Sequence, residues 1–264
     1  MTPESTVFEI GAGSGLLAMM AARLGARQVT TCEAVDLVAA TAGKIVARNG
    51  YADRVTVLAK PSQAVQLGVD LPEPADILVH EIFSSELLGE HVLPAIEDAR
   101  RRLLKPGGRI LPSSASIMVA LVGGDALGKN LHVGESFGFD RATSTRSTRS
   151  VGRCTAKTGA AAAQRRRRGL PLRFPEPGRV SPERKTLSVT ATQEGLCYGL
   201  IQWIRIELGE GARFENHPSR PRAVSNWQHT IYGFDAPLQV RAGQVLAVQA
   251  MHDRSRPWFE LSAR

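Results

Sequence analysis

The sequence predicts an α/β domain with a mostly parallel sheet, followed by an antiparallel β domain. Three observations lead to this prediction. Strand and helix patterns alternate over the first 112 residues, a glycine-rich turn follows the first strand, and strand patterns alone continue after Pro112. Strands separated by helices are joined by right-handed crossovers and are covered on both faces. We therefore expect one domain over 1–112 and a β-barrel domain over 113–264.

The individual elements follow from apolar spacing and from the residues that interrupt it. Asn49-Gly50 is typical of a helix end, and Lys105-Pro106-Gly107-Gly108 should stop the third helix. The predicted strands of the first domain are Thr6–Ile10, Gln28–Cys32, Val55–Leu58, Ile77–Val79 and Arg109–Leu111, and its helices are Leu16–Leu24, Ala39–Asn49 and Ala95–Leu104. In the second domain, alternating apolar residues predict the strands Ser116–Val122, Thr186–Thr192, Tyr198–Leu208, His229–Tyr232 and Val245–Ala250.

The net charge of +8 is concentrated in one stretch. Residues 141–168 hold nine Arg or Lys and no acid, so the rest of the chain carries −1. A nucleic-acid surface would be built into the folded domains, whereas this stretch has no large aliphatic or aromatic residue besides Val151. We interpret it as a disordered basic insertion. Contact with RNA or an acidic partner, or a change of reading frame, are the alternatives, and a nucleic-acid partner is not expected.

The remaining bulk features indicate a cytoplasmic protein without membrane contact. No apolar run approaches the roughly 20 residues that cross a bilayer, and the short polar N-terminus has no signal-peptide pattern. The cysteines Cys32, Cys154 and Cys197 are scattered without metal-ligand spacing, so no metal site is predicted.

A glycine-rich turn, Gly11-Ala12-Gly13-Ser14-Gly15, lies where the first strand gives way to a helix. Glycines there allow close approach of a ligand to the backbone and to the helix N-terminus. Glu33 ends the next strand, where a carboxylate can accept both hydroxyls of a ribose. The G-x-G-x-G spacing and the acidic Glu9 before it favour S-adenosylmethionine over a nicotinamide dinucleotide. A second acid suits a methionine ammonium better than a pyrophosphate.

Three glutamates, Glu81, Glu86 and Glu90, lie in the otherwise apolar loop after the fourth strand. The loop follows the carboxyl end of a parallel strand and should face the cofactor. Solvated loop charges would be the ordinary interpretation, but apolar neighbours indicate partial burial, where like charges repel unless a cation joins them. A guanidinium stays charged near neutral pH, and two carboxylates can hold it while one nitrogen attacks a methyl carbon.

These segments resemble the protein arginine N-methyltransferase family, especially its monomethylating, type III branch. The resemblance rests on residues 7–17, Cys32-Glu33-Ala34, Lys60-Pro61-Ser62 and the loop 81–90, whose outer acids stand nine positions apart as in that family's double-glutamate hairpin. Ser225-Asn226-Trp227-Gln228 is similar to the family's Thr-His-Trp loop. The resemblance spans about 1–140 and 185–264. It implies a Rossmann-like class I methyltransferase domain that uses S-adenosylmethionine to methylate arginine in a protein.

The expected site residues follow from this resemblance and from the spacing above. Glu81 and Glu90 are the predicted catalytic residues, and Phe83 and Trp227 are the predicted substrate-binding residues. Glu86 is interpreted as a structural acid of the loop, and an ordinary barrel-core role for Trp227 is the alternative. The predicted cofactor-binding residues are Glu9, Gly11, Ala12, Gly13, Gly15, Leu16, Leu17, Glu33, Ala34, Lys60, Pro61 and Ser62.

The sequence also departs from the family pattern. Asn226 stands where the family usually has His, and residues 141–168 match nothing in it. The family's N-terminal helices, which cover the cofactor, have no counterpart before Thr6, so impaired activity is an expectation. Two other functions stay open: methyl transfer to a different acceptor, and a non-catalytic relic. A homodimer is one assembly that the resemblance allows.

Overall fold

The computed structural model describes residues 2–124, 127–128, 135–140, 151–154, 169–174, 180–220 and 225–262. Its first domain is a five-stranded parallel sheet in the order β3-β2-β1-β4-β5. The strands are β1 (Thr6–Ile10), β2 (Gln28–Glu33), β3 (Val55–Ala59), β4 (Ala75–His80) and β5 (Leu104–Leu111), and the helices are α1 (Leu16–Arg23), α2 (Asp36–Arg48) and α3 (Val92–Arg102). The predicted Rossmann-like architecture is confirmed.

The strand order reverses between β1 and β4, and this reversal fixes where a ligand can bind. The chain builds outward from β1 through β2 to β3, then returns to place β4 on the other side of β1. In open parallel sheets the crevice at such a reversal, beyond the carboxyl ends of the strands, is the ligand site. The loop after β1 holds the glycines and the loop after β4 holds the glutamates, so both line this crevice.

The second domain is built from antiparallel sheets and is β-barrel-like, as predicted. A six-stranded sheet has the order β10-β6-β12-β14-β9 with β13 beside β12, and a three-stranded sheet has the order β11-β15-β16. The short strands β7 and β8 form a pair of their own. The bounds are β6 (Ser114–Gly123), β7 (Glu135–Ser136), β8 (Phe139–Asp140), β9 (Val151–Cys154), β10 (Gly169–Arg173), β11 (Glu183–Thr190), β12 (Gly195–Gly209), β13 (Ala212–Glu215), β14 (His229–Val240), β15 (Val245–His252) and β16 (Pro257–Leu261).

Two sequence-based expectations need correction. The predicted turn at 105–108 instead lies within β5, where the pairing with β4 shifts between Ala75 and Ile77. The prediction of an unstructured insertion is wrong for Val151–Cys154, which pair with His229–Tyr232 of β14. The rest of 141–168 lies outside the described residues. Within the described ranges, no helix is long and apolar enough to cross a membrane.

The two domains share one hydrophobic core. A single cluster of buried side chains runs from Phe8 and Leu78 of the parallel sheet to Ile117, Leu187 and Val248 of the barrel. A largely buried ion pair reinforces this junction, because Arg254 Nη2 lies 2.8 Å from Glu97 Oε2 on α3. The loop after β4 (residues 81–90), called the catalytic loop because it holds the predicted catalytic glutamates, therefore packs against both domains.

Candidate active site

The glycine turn is hydrogen-bonded to the end of the neighbouring strand β2. The backbone N–H groups of Gly11 and Ala12 donate to the carbonyl of Cys32 at 2.9 and 3.0 Å. Gly11 has φ +86°, and a Cβ atom there would lie 2.9 Å from Ile82 of the catalytic loop. Only glycine permits this backbone conformation together with this close approach. The glycine turn and the catalytic loop are thus in direct contact.

Glu33 is oriented by backbone donors on both sides. Its carboxylate accepts hydrogen bonds from Gly13 N (3.2 Å) and Val35 N (3.1 Å). Gly13 itself faces open space, since no atom lies within 4 Å of an added Cβ. A carboxylate fixed at the end of β2 beside an open glycine is placed to receive ribose hydroxyls. Ala34 follows it in sequence and is exposed.

Glu9 is a buried carboxylate without a hydrogen-bond partner. It is 1% exposed, and neither of its oxygens forms a hydrogen bond. Burial, with a smaller contribution from the nearby charge of Glu33, raises the pKa of Glu9 to about 7; the Thr31 hydroxyl, which is near but outside hydrogen-bond geometry, lowers it in part. A buried, unpaired acid next to a glycine turn is stabilised by a cation. The methionine ammonium of S-adenosylmethionine fits this requirement.

The remaining predicted cofactor residues lie at the same edge of the sheet. Ala59 pairs with Glu33, which places the segment from Lys60 to Ser62 beyond the carboxyl end of β3. Lys60 Nζ forms an ion pair with Asp70 Oδ1 at 2.8 Å, so its side chain is already engaged. Ser62 is buried, Pro61 is exposed, Leu16 is 57% exposed and Leu17 is half-buried. Contact between these residues and a cofactor stays a prediction.

The catalytic loop is a tight hairpin held by its own serine. Leu87 N donates to the carbonyl of Ser84 at 2.9 Å, and Gly89 N donates to Ser84 Oγ at 3.0 Å. Leu87 and Glu90 have φ values of 69° and 58°. Such left-handed conformations in non-glycine residues cost on the order of 1 kcal/mol each and occur where the surroundings enforce them. Here the fully buried side chain of Leu87 supplies that support.

One cavity of about 740 Å³ brings the predicted catalytic residues together. Glu81 and Glu90 both line it, and burial together with the charge of Glu90 raises the pKa of Glu81. Glu86 borders the same cavity, which its interpretation as a structural acid did not anticipate. Phe214 and Thr230 of the barrel also line this cavity, and they were not predicted from the sequence. Their strands carry no motif, and only the sheet pairing brings them to the cavity.

Trp227 joins the barrel to the catalytic loop. Its indole Nε1 donates to the carbonyl of Phe83 at 2.9 Å, and its ring meets Phe214 edge-on at 5.2 Å. Trp227 is half-buried: it packs against the core and also lines the cavity, and its contact with a substrate stays a prediction. The Phe83 ring is only 6% exposed and packs against His80 and Phe174. Phe83 therefore offers a substrate little more than the edge of its ring.

Two further hydrogen bonds fix the loop to the barrel, and a third, within the barrel, orients one of their donors. Gln228 N donates to Ser85 Oγ at 2.9 Å, and Gln202 Nε2 donates to the Ser85 carbonyl at 3.2 Å. The Tyr232 hydroxyl in turn donates to Gln202 Oε1 at 2.8 Å. Gln202 is fully buried, so these bonds are shielded from water. The positions of the three glutamates are thus set by the barrel as much as by the parallel sheet.

In the described part of the chain, no three His, Cys, Asp or Glu side chains are grouped to hold a metal ion.

The strand order, the glycine turn with two acids and the glutamate-lined cavity define a class: this protein is an S-adenosylmethionine-dependent methyltransferase with a Rossmann-like domain. Comparison with known proteins narrows the class. The chain is 38% identical over 248 residues to an arginine N(omega)-methyltransferase of Streptomyces achromogenes subsp. streptozoticus, covering 93% of this chain and 68% of that protein. The chain belongs to the arginine N-methyltransferase family.

Further similarities concern a longer relative, a methyltransferase family model over part of the chain, and two solved structures. Protein arginine N-methyltransferase 7 of Drosophila grimshawi is 30% identical across 97% of this chain, which spans 42% of that longer protein. The family of ribosomal protein L11 methyltransferases (PrmA) matches residues 1–116. The Trypanosoma brucei PRMT1 enzyme-prozyme complex with AdoHcy matches with a TM-score of 0.82 at 22% identity, covering 94% of this chain and 78% of that chain. Arabidopsis thaliana protein arginine methyltransferase 10 matches with a TM-score of 0.74 at 20% identity, covering 94% and 79%. At these identities the two structures support the fold alone.

Proposed function

We propose that this chain transfers a methyl group from S-adenosylmethionine to a guanidinium nitrogen of arginine in a protein. One observation supports this more than any other. Glu81 and Glu90 share a single cavity with Trp227, and Ile82 of the same cavity packs against Gly11 of the cofactor turn. The acceptor site and the donor site are therefore adjacent.

The two glutamates hold and polarise the acceptor. Ionised Glu81 and Glu90 can each accept charge-assisted N–H bonds from the guanidinium, which fixes its plane and draws positive charge from the attacking nitrogen. When bound, S-adenosylmethionine supplies an electrophilic methyl group on a sulfonium. Attack in line with the carbon–sulfur bond requires a separation of roughly 3 Å, so positioning contributes much of the rate. The raised pKa of Glu81 suits it to accept the proton that the substituted nitrogen releases.

The aromatic wall shields this chemistry from water. Trp227 and Phe214 form an edge-on pair on the barrel side of the cavity. An aromatic face beside a guanidinium is favourable by about 0.5–2 kcal/mol. Exclusion of water from this side also strengthens the contacts made by Glu81 and Glu90. The exposed Asn226 lines the same cavity as a neutral hydrogen-bonding group.

The test is methyl transfer to a glycine- and arginine-rich peptide by wild type, Glu81→Gln and Glu90→Gln. Each neutral variant should lower the rate by two or more orders of magnitude, about 3 kcal/mol, because one preorganised charge is removed. The Kd of S-adenosylhomocysteine, measured by calorimetry, should stay within about threefold of the wild-type value in both variants. Undiminished rates in both variants would rule out the paired-glutamate mechanism.

A second candidate acceptor is arginine itself. The Streptomyces relative, which matches across 93% of this chain, is named for arginine N(omega)-methylation without reference to a protein. Free L-arginine therefore belongs in the same assay at millimolar concentration. A kcat/KM for free arginine above that for every arginine-containing peptide would favour this second function.

Self-association is also part of the proposal. Leu16 and Met20 of α1, together with Leu24 at its C-cap, are spaced every four residues and are 57%, 40% and 67% exposed. Large apolar residues on one helix face are typical of a surface that another subunit covers. A homodimer would bury this stripe. Light scattering on wild type and on Met20→Glu checks it, because the charge should shift the mass toward that of a single chain.

A further inference from the structure

Asn216 lies directly after β13 and is buried, with an exposed fraction of 4%. Its backbone N–H donates to the carbonyl of Ile204 on β12 at 3.4 Å, and its side-chain Oδ1 accepts a hydrogen bond from the N–H of Ile204 at 2.9 Å. The carbonyl of Asn216 accepts a hydrogen bond from Nε2 of His229 on β14 at 2.6 Å. Asn216 therefore extends the pairing of β13 with β12 and joins that pair to β14.

The side-chain amide of Asn216 also reaches the acceptor wall. Its Nδ2 donates to the backbone carbonyl of Trp227 at 3.0 Å. The backbone N–H of Trp227 donates to Ser225 Oγ at 3.1 Å, and its indole Nε1 donates to the Phe83 carbonyl. Ser225 belongs to the same loop as Trp227, whereas Asn216 follows a strand of the barrel. Asn216 thus fixes the main chain of Trp227 on the barrel, and the direction of the indole depends on that main chain.

The two partners of this side chain require an amide. The N–H of Ile204 needs an acceptor and the carbonyl of Trp227 needs a donor, and asparagine carries both on one planar group. A buried main-chain group left without a partner is costly. An ionised carboxylate of the same shape would satisfy Ile204 but would turn a lone pair toward the Trp227 carbonyl.

We propose that Asn216 is a positioning residue for the acceptor. It holds the main chain of Trp227 so that the indole both bonds to the Phe83 carbonyl and lines the catalytic cavity. Asn216 itself does not line this cavity, so it acts through Trp227. This inference rests on the proposed function and names a residue on which its acceptor site depends.

The test is Asn216→Asp, which keeps the shape of the side chain and loses only its donor at neutral pH. With a glycine- and arginine-rich peptide at about pH 8, kcat/KM should fall about tenfold, because the repelled Trp227 carbonyl moves the indole away from its place. The Kd of S-adenosylhomocysteine should stay within about twofold of wild type, since the bonds of Asn216 lie in the barrel and not at the donor site.

Lower pH should restore the variant relative to wild type. A protonated Asp carries an O–H that can donate to the Trp227 carbonyl, and burial raises the pKa of such a carboxyl above its ordinary value. The ratio of kcat/KM for Asn216→Asp to that for wild type should therefore rise at least about threefold between about pH 8 and about pH 6. The charged or titratable groups beside this position are common to both proteins and cancel in the ratio: Glu215, His217, His229 and Arg205.

A second readout follows the indole without any catalysis. The NMR signal of the Trp227 indole N–H, identified by its loss in Trp227→Phe, should shift in Asn216→Asp and return toward its wild-type position as pH falls. Asn49→Asp is the matched control, since Asn49 Nδ2 also donates to a carbonyl, that of Ile45 at 2.8 Å near the end of α2. It should leave both kcat/KM and the indole signal unchanged.

A double-mutant cycle separates positioning from general stability. Combined with Trp227→Phe, Asn216→Asp should lose less kcat/KM than the product of the two separate losses, because both changes act on the same ring. An unchanged indole signal, a pH-independent ratio, or losses that simply multiply would each overturn the proposal.

Two further outcomes are decisive. If Asn216→Asp does not fold, Asn216→Ala removes the same donor without adding a charge; it should shift the indole signal and lower kcat/KM about tenfold, and the proposal fails if it does neither. An indole signal that depends on Asn216, in a wild-type protein that methylates neither peptide nor free arginine, would support the hold on Trp227 and refute the proposed function.

Discussion

The indole N–H of Trp227 and the carbonyl of Phe83 lie 2.9 Å apart and join two domains across 144 residues of sequence. Trp227 belongs to the barrel, and Phe83 lies in the chain between Glu81 and Glu90. The bond therefore couples the position of the acceptor wall to the position of the carboxylates.

Trp227→Phe tests whether the indole hydrogen bond contributes to catalysis beyond the packing of an aromatic ring. The variant keeps an aromatic wall but loses the indole donor, leaving the Phe83 carbonyl unpaired. We expect kcat/KM for the acceptor to fall about tenfold and the unfolding free energy to fall by about 1 kcal/mol. Trp203→Phe is the control, since it loses a similar bond, 2.9 Å to Glu215, outside the catalytic cavity. If both variants lose stability and neither loses kcat/KM, the bond has no catalytic role.

Glu9 should make the stability of the folded protein depend on pH. Its pKa in the folded protein is raised to about 7 from an ordinary 4.5, so the folded state holds the proton more tightly than the unfolded state. The unfolding free energy should accordingly fall as pH rises from about 4.5 to 7, by up to about 3 kcal/mol. Glu9→Gln should remove most of that decline. A flat wild-type profile over this pH range would show that the raised pKa is wrong.

The same group should release a proton when a methionine ammonium binds beside it, because the cation favours the ionised carboxylate. Calorimetry with S-adenosylhomocysteine at pH 6.5, in buffers of different ionisation enthalpy, should detect about half a proton or more released per site. Glu9→Gln should release almost none. Equal release by the two proteins would place the titrating group elsewhere.

The Glu97–Arg254 pair should contribute strongly to the junction between domains. Its side chains are 16% and 9% exposed, so Glu97→Gln leaves a mostly buried guanidinium without its counter-charge. The unfolding free energy should fall by about 3 kcal/mol. Glu73→Gln breaks a comparable pair to Arg27 whose side chains are about half exposed, and it should change stability by less than about 1 kcal/mol. Denaturant titration measures both variants, and similar losses would contradict the burial argument.

Much of the first domain could be predicted because its signals are local. Thr6–Ile10 was predicted to the residue, since Val7, Phe8 and Ile10 are apolar and a glycine turn follows directly. The pairing of Glu81 with Glu90 came from the resemblance to a double-glutamate hairpin whose acids stand nine positions apart, and the structure places both residues on one cavity. Both the first strand with its glycine turn and the loop from Glu81 to Glu90 are about ten residues long, so the pattern that predicts each one lies within a short stretch of sequence.

The barrel contribution could not be predicted in the same way. Phe214 lies on the four-residue strand β13, whose position depends on pairing with β12 through a bulge near Gly209. No local pattern distinguishes this phenylalanine from a core residue. Glu86 illustrates a related limit, because its membership of two cavities depends on where β14 and the chain end pack. Long-range pairing decided both positions.

The hydrogen bonds from Trp227, Gln228 and Gln202 to the catalytic loop also mean that the two halves of the site are synthesised at different times. Every residue of the glycine turn, Glu9 and Glu33 is synthesised within the first 33 positions, whereas the last of these anchors to the loop arrives at position 228. The glycine turn and its two acids thus precede the last of these anchors by 195 positions, so a nascent chain contains them long before its acceptor pocket can form.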